Sequence, residues 1–254
     1  MDGADSRQHQ YRGSQLRCLL LTDGPRDVVA QRLSALAAPM ATVDAAQHHW
    51  LPRGLHAPQE AQLDKTPELL SPELCEQISS WWLAVPKDAR TPTWDIAATA
   101  TVDGRPGLLL VEAKAHSAEL SSAGKHRDPQ ASTNSQRNDK QITTCLREAS
   151  TALNALHHGW QLSTASHYQL ANRFAWSWKL ASLGVPVVLV YLGFLQAAEM
   201  TDRGMPFADA AAWEQTIRQY SRGSAPEHIW NTRLLVGDVP MYACIQSLYV
   251  PVPA

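Results

Sequence analysis

Residues 94–116, WDIAATATVDGRPGLLLVEAKAH, decide how the chain is read. The first half alternates. Trp94, Ile96, Ala98, Ala100 and Val102 share one face, and Asp95, Ala97, Thr99 and Thr101 the other, which is the period of a β-strand. Asp103-Gly104-Arg105-Pro106 is turn chemistry, so the stretch predicts a β-hairpin. In the second strand Leu109, Val111, Ala113 and Ala115 point one way, and Leu108, Leu110, Glu112, Lys114 and His116 the other. A four-residue loop sets Val102 opposite Gly107 and Asp95 opposite Lys114, with Glu112 diagonal to Asp95 at roughly 7–8 Å between backbones. A slip of one residue would turn Asp95 to the far face, and the alternation favours the register that keeps the apolar residues together.

Two carboxylates and a lysine on a half-buried strand pair call for partners, because charges are rarely buried alone. Hard oxygen ligands suit Mg²⁺ or Mn²⁺, which bind through one or two carboxylates with water and substrate phosphate completing the shell. A lysine beside such an ion can orient or deprotonate water and offset charge developing on phosphorus. The bland alternative is a surface hairpin with a Glu/Lys pair on its wet face, since Asp, a gap, then Glu-x-Lys is a short pattern. Leu108-Leu109-Leu110-Val111 runs straight into the triplet and predicts a strand buried on both faces, which opposes that alternative.

Asp95 and the triplet Glu112-Ala113-Lys114 resemble the motif of the PD-(D/E)XK nuclease superfamily. The resemblance implies an α/β fold of restriction-endonuclease-like type, with a central mixed β-sheet flanked by helices. It implies Asp95 and Glu112 as ligands of Mg²⁺ (Mn²⁺ as substitute), joined by the backbone carbonyl of Ala113, and Lys114 as the residue that serves the attacking water. The activity implied is hydrolysis of nucleic-acid phosphodiesters, DNA more than RNA, by an endonuclease; cutting both strands would call for a homodimer or larger complex. Thr93-Trp94 stands where the family name has proline, a position widely replaced among members. The runner-up is a catalytically weak or inactive nucleic-acid-binding or assembly module on the same fold. A hydrolase of some other phosphate ester would need a closed pocket.

The chain has 254 residues, 44% hydrophobic and 18% charged, enough for one sizeable core with an appended subdomain. Its net charge of −2 supplies no global field toward nucleic acid, so any such binding needs a local basic patch. Cys18, Cys75, Cys145 and Cys244 are scattered without a CxxC pair and read as reduced core residues. Residues 1–15 are polar and unlike a signal peptide, and the longest apolar run, 185–195, is too short to span a membrane. The expectation is a cytoplasmic protein with no membrane partner.

Along the chain, residues 1–15 read as frayed, 16–22 as a short strand and 26–37 as a helix. Residues 40–65 read as irregular connection, and the His48-His49 pair in it lacks a third ligand at metal spacing. Ser71 caps a helix reaching about Ala84, with Pro72 at its first position. Glu73 and Glu76 on that helix are candidates for a further acid, the plainer role being to complement the helix dipole. Residues 117–139 predict a polar loop whose surroundings are mildly basic. Lys125, Arg127, Arg137 and Lys140 are the expected nucleic-acid contacts. Helices follow over 140–158 and 166–183, and Gln169 and Arg173 on the second are accessory candidates, as is His116. Residues 184–192 form an apolar strand covered on both faces, 208–220 a helix, 226–235 a further helix and 241–250 a last strand. The division expected is an N-terminal extension (1–70), a nuclease-like core (71–196) and C-terminal elements packed on it (197–254).

Overall fold

A computed structural model of the chain describes residues 11–87, 89–126, 128 and 130–252. The expected fraying falls largely on residues 1–10, outside the described residues. The elements are α1 (Gly13–Leu21), α2 (Arg26–Ala37), β1 (Ala41–Thr42), β2 (Trp50–Leu51), β3 (Ala61–Gln62), α3 (Pro72–Trp82), β4 (Thr93–Trp94), β5 (Ile96–Val102), β6 (Arg105–Lys114), α4 (Thr133–Leu156), α5 (Tyr168–Ser182), β7 (Val187–Phe194), α6 (Ala210–Tyr220), β8 (Thr232–Val236) and β9 (Val239–Leu248).

The hairpin forms the middle of a mixed sheet ordered β1-β5-β6-β7-β9-β8, with β2 also paired to β5. The β5–β6 and β8–β9 pairs are antiparallel, and β6–β7 and β7–β9 are parallel. Each face is apolar and each is covered by helices. Ile96, Ala98, Leu109, Val111, Val188 and Val190 meet α1 and α2 on one side. Ala97, Leu108, Leu110, Leu189 and Tyr191 meet α3, α4, α5 and α6 on the other. Each such Leu or Val, fully buried, contributes about 1.5–3 kcal/mol, so this double burial holds the hairpin in place. The α/β class with a helix-flanked mixed sheet is therefore as the sequence predicts. Strands from 1–70 and from 197–254 both enter the one sheet.

The hairpin loop is tighter than its sequence suggests. Asp103 (φ 47°) and Gly104 (φ 76°) alone make the turn, so Val102 faces Arg105 rather than Gly107. Asp-Gly suffices because both positions tolerate the left-handed region of a primed turn. The Asp103 carboxylate is also fixed from across the sheet, accepting from Tyr242 Oη at 2.8 Å and Arg233 Nε at 2.9 Å. The shift is two residues, so each side chain of β5 keeps its face, while the position opposite Asp95 becomes Glu112. Trp94 departs from the alternation. The chain bends at Asp95, β4 leaves the sheet to pair with β3, and Trp94 joins the core under α3–α6.

Other segments differ from expectation for local reasons. Residues 16–21 belong to a helix, because Leu-Arg-Cys-Leu-Leu-Leu has no β-branched residue and a short apolar run fits either element. Residues 40–65 contain β1, β2 and β3, pairs too short to show a period. Helix α4 starts at Thr133, not Lys140. Ser132 Oγ accepts from Ser135 N–H (3.2 Å), and buried Asn138 holds both backbone groups of Val85 at 2.8 and 2.9 Å. Its first turns are polar because they lie on the surface. Residues 226–235 give a single 3₁₀ turn and then β8, not a helix. All four cysteines are free and buried. Among the described residues no helix is long and apolar enough to cross a membrane.

Gly193 stands beside Lys114 in the β6–β7 register, and a Cβ there would lie 2.4 Å from the fully buried Trp213 ring. Gly193→Ala is expected to destabilise the fold by about 1–3 kcal/mol through overpacking, read as a lower denaturant midpoint at unchanged slope.

Candidate active site

Glu112 and Lys114 project from the end of β6 beneath α5. Glu112 is 1% exposed and Lys114 6%, so neither charge is relieved by water. The relief comes from each other and from Arg173, itself buried. Lys114 Nζ donates to Glu112 Oε1, and Arg173 Nε donates to Glu112 Oε2 at 2.5 Å. Arg173 also donates to the Thr93 carbonyl (2.7 Å) and to Asn172 Oδ1 (3.0 Å), and its guanidinium lies 4.4 Å from the centre of the Trp94 ring. It therefore ties α5 to β4 and β6. Lys114, by contrast, has Glu112 as its sole hydrogen-bond partner among the described residues.

Asp95 sits in the bend between β4 and β5, opposite Glu112, and is half-buried. Its Oδ2 accepts from the Ala113 N–H at 2.7 Å, so a side chain continues the ladder where the backbone turns away. Burial and the neighbouring Glu112 carboxylate push its carboxyl up to about 7, against the pull of Lys114, the Ala113 N–H and Arg173. Glu112 goes the other way: burial alone would raise it, but Arg173 and Lys114 hold it below the ordinary glutamate range. Burial would lower Lys114 and Arg173, but Glu112 and Asp95 raise both. Two acids with opposed proton affinities beside one lysine form the kind of asymmetric pair that acid–base sites use.

The wall of the site comes from residues the sequence did not single out. Tyr191 stands level with Glu112 on β7, and its buried hydroxyl has no partner among the described residues. Burial, then Glu112, push that hydroxyl up. The sole advance signal for Tyr191 was one polar atom in an otherwise apolar strand. Trp213 covers Gly193 beside Lys114.

The remaining sequence-predicted residues divide. Arg173 joins the site. Gln169 lines a cleft beside it. His116 is buried, with Nε2 3.9 Å from Glu119, and Nδ1 has no hydrogen-bond partner among the described residues and faces Gly204. Glu73 is exposed on the first turn of α3, where its own backbone N–H and the Ser71 hydroxyl lower its carboxyl, and it touches no site residue. Those bonds are the ones a helix start makes. Lys125 is taken by Asp139, while Arg137 and Lys140 lie exposed along α4. Arg127 lies outside the described residues.

Among the described residues no group of three or more His, Cys, Asp or Glu is placed to hold a metal by protein ligands alone. The acid pair suits an ion that takes one or two carboxylates and fills its shell with water and phosphate, as Mg²⁺ and Mn²⁺ do. Asp95 accepts one hydrogen bond, at Oδ2, whereas both Glu112 oxygens are engaged, Oε1 by Lys114 and Oε2 by Arg173, so an ion at Glu112 would have to share or displace a cation. The chain matches no family model, no curated protein and no solved structure.

Two outcomes follow from this electrostatics. Arg173→Ala strands a buried carboxylate and is expected to cost about 3–5 kcal/mol, measured by urea unfolding. Asp95 titrates near 3.9 when unfolded but at about 7 here, so between those values the folded protein keeps a proton the unfolded chain has lost. Its contribution to stability therefore declines as pH rises through that window. Asp95→Asn should stabilise the fold relative to native at pH 8 and leave the difference small at pH 4, measured as the pH dependence of the urea midpoint difference.

Proposed function

We propose that this chain is a metal-dependent nuclease hydrolysing nucleic-acid phosphodiester bonds, with DNA the favoured substrate. The observation that carries the reading is the juxtaposition of Asp95, Glu112 and Lys114 at the end of a hairpin buried on both faces. The element order supports it: helix α3, the acid-bearing hairpin, helices α4 and α5, then β7 beside and parallel to β6. That is the order expected of a restriction-endonuclease-like core.

In this reading Asp95 and Glu112 would hold Mg²⁺ or Mn²⁺, with the Ala113 carbonyl as a third oxygen. Such an ion supplies Lewis acidity that makes water nucleophilic at neutral pH and polarises the phosphoryl group. Arg173, held by several bonds, keeps the Glu112 carboxylate fixed in plane and place. Lys114, whose hydrogen-bond partner among the described residues is Glu112, would orient the attacking water and donate to charge developing on phosphorus.

One observation favours the second reading, a binding or assembly module without catalysis on the same fold. Both Glu112 oxygens already carry cationic partners, so protein groups alone satisfy this carboxylate as it stands.

The test is cleavage of supercoiled plasmid and labelled single strands in Mg²⁺, Mn²⁺ and EDTA. Native protein should cut with either ion and not in EDTA, while Asp95→Asn and Lys114→Met, each shown to be folded, should lose on the order of 10²–10³-fold in rate. Equal cutting by all three proteins would rule out this site. No cutting with retained salt-sensitive DNA binding would favour the second reading.

A further inference from the structure

Arg173 and Thr93 border a cleft of about 560 Å³ that runs away from the acid pair, between residues 90–93 and the start of α5. Arg90 and Tyr168 line it and also line a second hollow of about 290 Å³, which adds Lys87. The two hollows share Arg90 and Tyr168 and so adjoin, forming a groove that borders the site at Arg173 and Thr93.

Most cations near this groove are spent. Arg173 serves Glu112, and Lys125 serves Asp139. Lys87 and Arg90 are different: both are exposed, and neither has an ion-pair partner among the described residues. They sit on residues 83–92, the segment that links α3 to β4 and so reaches Asp95 directly. Across the groove, Gln169 offers an amide, and Asn172 uses its oxygen on Arg173 while its own NH₂ remains free to donate. Tyr168, half-buried at the junction, presents an aromatic face where the two hollows meet. Cations without an ion-pair partner among the described residues, amide donors and one ring along a groove match a phosphodiester backbone with a base to stack, since phosphate contacts position a strand and stacking tolerates any base.

We propose that this groove is the track for the nucleic-acid strand flanking the cleaved bond, with Lys87 and Arg90 contacting its phosphates and Tyr168 stacking on a base. The assignment rests on the nuclease reading of the acid pair and replaces Arg137 and Lys140 as the principal phosphate contacts.

The experiment is fluorescence anisotropy of the full chain with a labelled single-stranded oligonucleotide and its duplex, titrated with salt in EDTA so that no cleavage intervenes. Lys87→Ala/Arg90→Ala is compared with Arg137→Ala/Lys140→Ala, which removes the same charge from α4. Losing two phosphate contacts should weaken binding at least tenfold and reduce the log–log salt slope by about 2, with the α4 double variant close to native. The form that shows the loss, single strand or duplex, is the one the groove carries. Tyr168→Ala should weaken binding at unchanged salt slope. The proposal is overturned if the Lys87/Arg90 variant binds both forms like native, or if the α4 variant loses as much. Native-like binding by the Lys87/Arg90 variant, together with metal-dependent cleavage, would remove the groove and leave the nuclease reading standing. Groove-dependent binding without cleavage in any metal would do the reverse.

Discussion

A carboxylate at the centre of a sheet, cut off from water, sets the terms for everything packed around it. Glu112 is 1% exposed, and an isolated buried carboxylate would simply take a proton. It stays ionised because two cations close on its two oxygens. That requirement explains why α5 carries a charged residue on a face that is otherwise apolar. It also explains why β4 turns out of the sheet to offer the Thr93 carbonyl and the Trp94 ring to Arg173. The two acids and two cations sum to no net charge, so the cluster sits in the core without an external counter-ion. Buried ion pairs seldom add net stability over apolar packing of the same volume.

The two cations are held very differently. Arg173 has a planar fork engaged on several sides, whereas Lys114 has a flexible stem and one partner. Arg173 ties Glu112 to α5 and β4, whereas Lys114 adds a single bond from within its own strand.

The sequence made much of this legible, and for a definite reason. Period-two alternation and an unbroken apolar run identify the hairpin and its burial, so the faces of Glu112 and Lys114 followed directly. The register was less secure. Asp-Gly and a longer loop ending in Arg-Pro are both plausible turns, and a two-residue shift leaves every face unchanged. Hydrophobic pattern therefore could not tell whether Asp95 faces Glu112 or Lys114. The roles of Lys125 and Arg173 were hidden for another reason: which charges are spent on partners depends on residues distant in the chain, such as Asp139 and Glu112. The free cations Lys87 and Arg90 lie in a short Pro-containing link with no period to mark it. Helix α1 was missed because a leucine-rich stretch of that length satisfies either element.

The parallel pairings at the centre of the sheet carry a consequence for how the chain acquires its structure. Leu108 pairs with Val187, and Val187 in turn with Met241, so the neighbours of β6 and β7 arrive long after the hairpin is synthesised. Contacts of such sequence separation are slow to close and leave earlier segments waiting. Until α5 delivers Arg173 and β7 covers the strand, Glu112 and Lys114 stand on an open apolar ribbon with one unguarded edge. Inward-pointing charges are costly to bury against a foreign strand, so Glu112 and Lys114 disfavour the pairing of that open edge with another chain. The residues that disfavour premature association on the ribosome are thus the same ones that the finished fold buries.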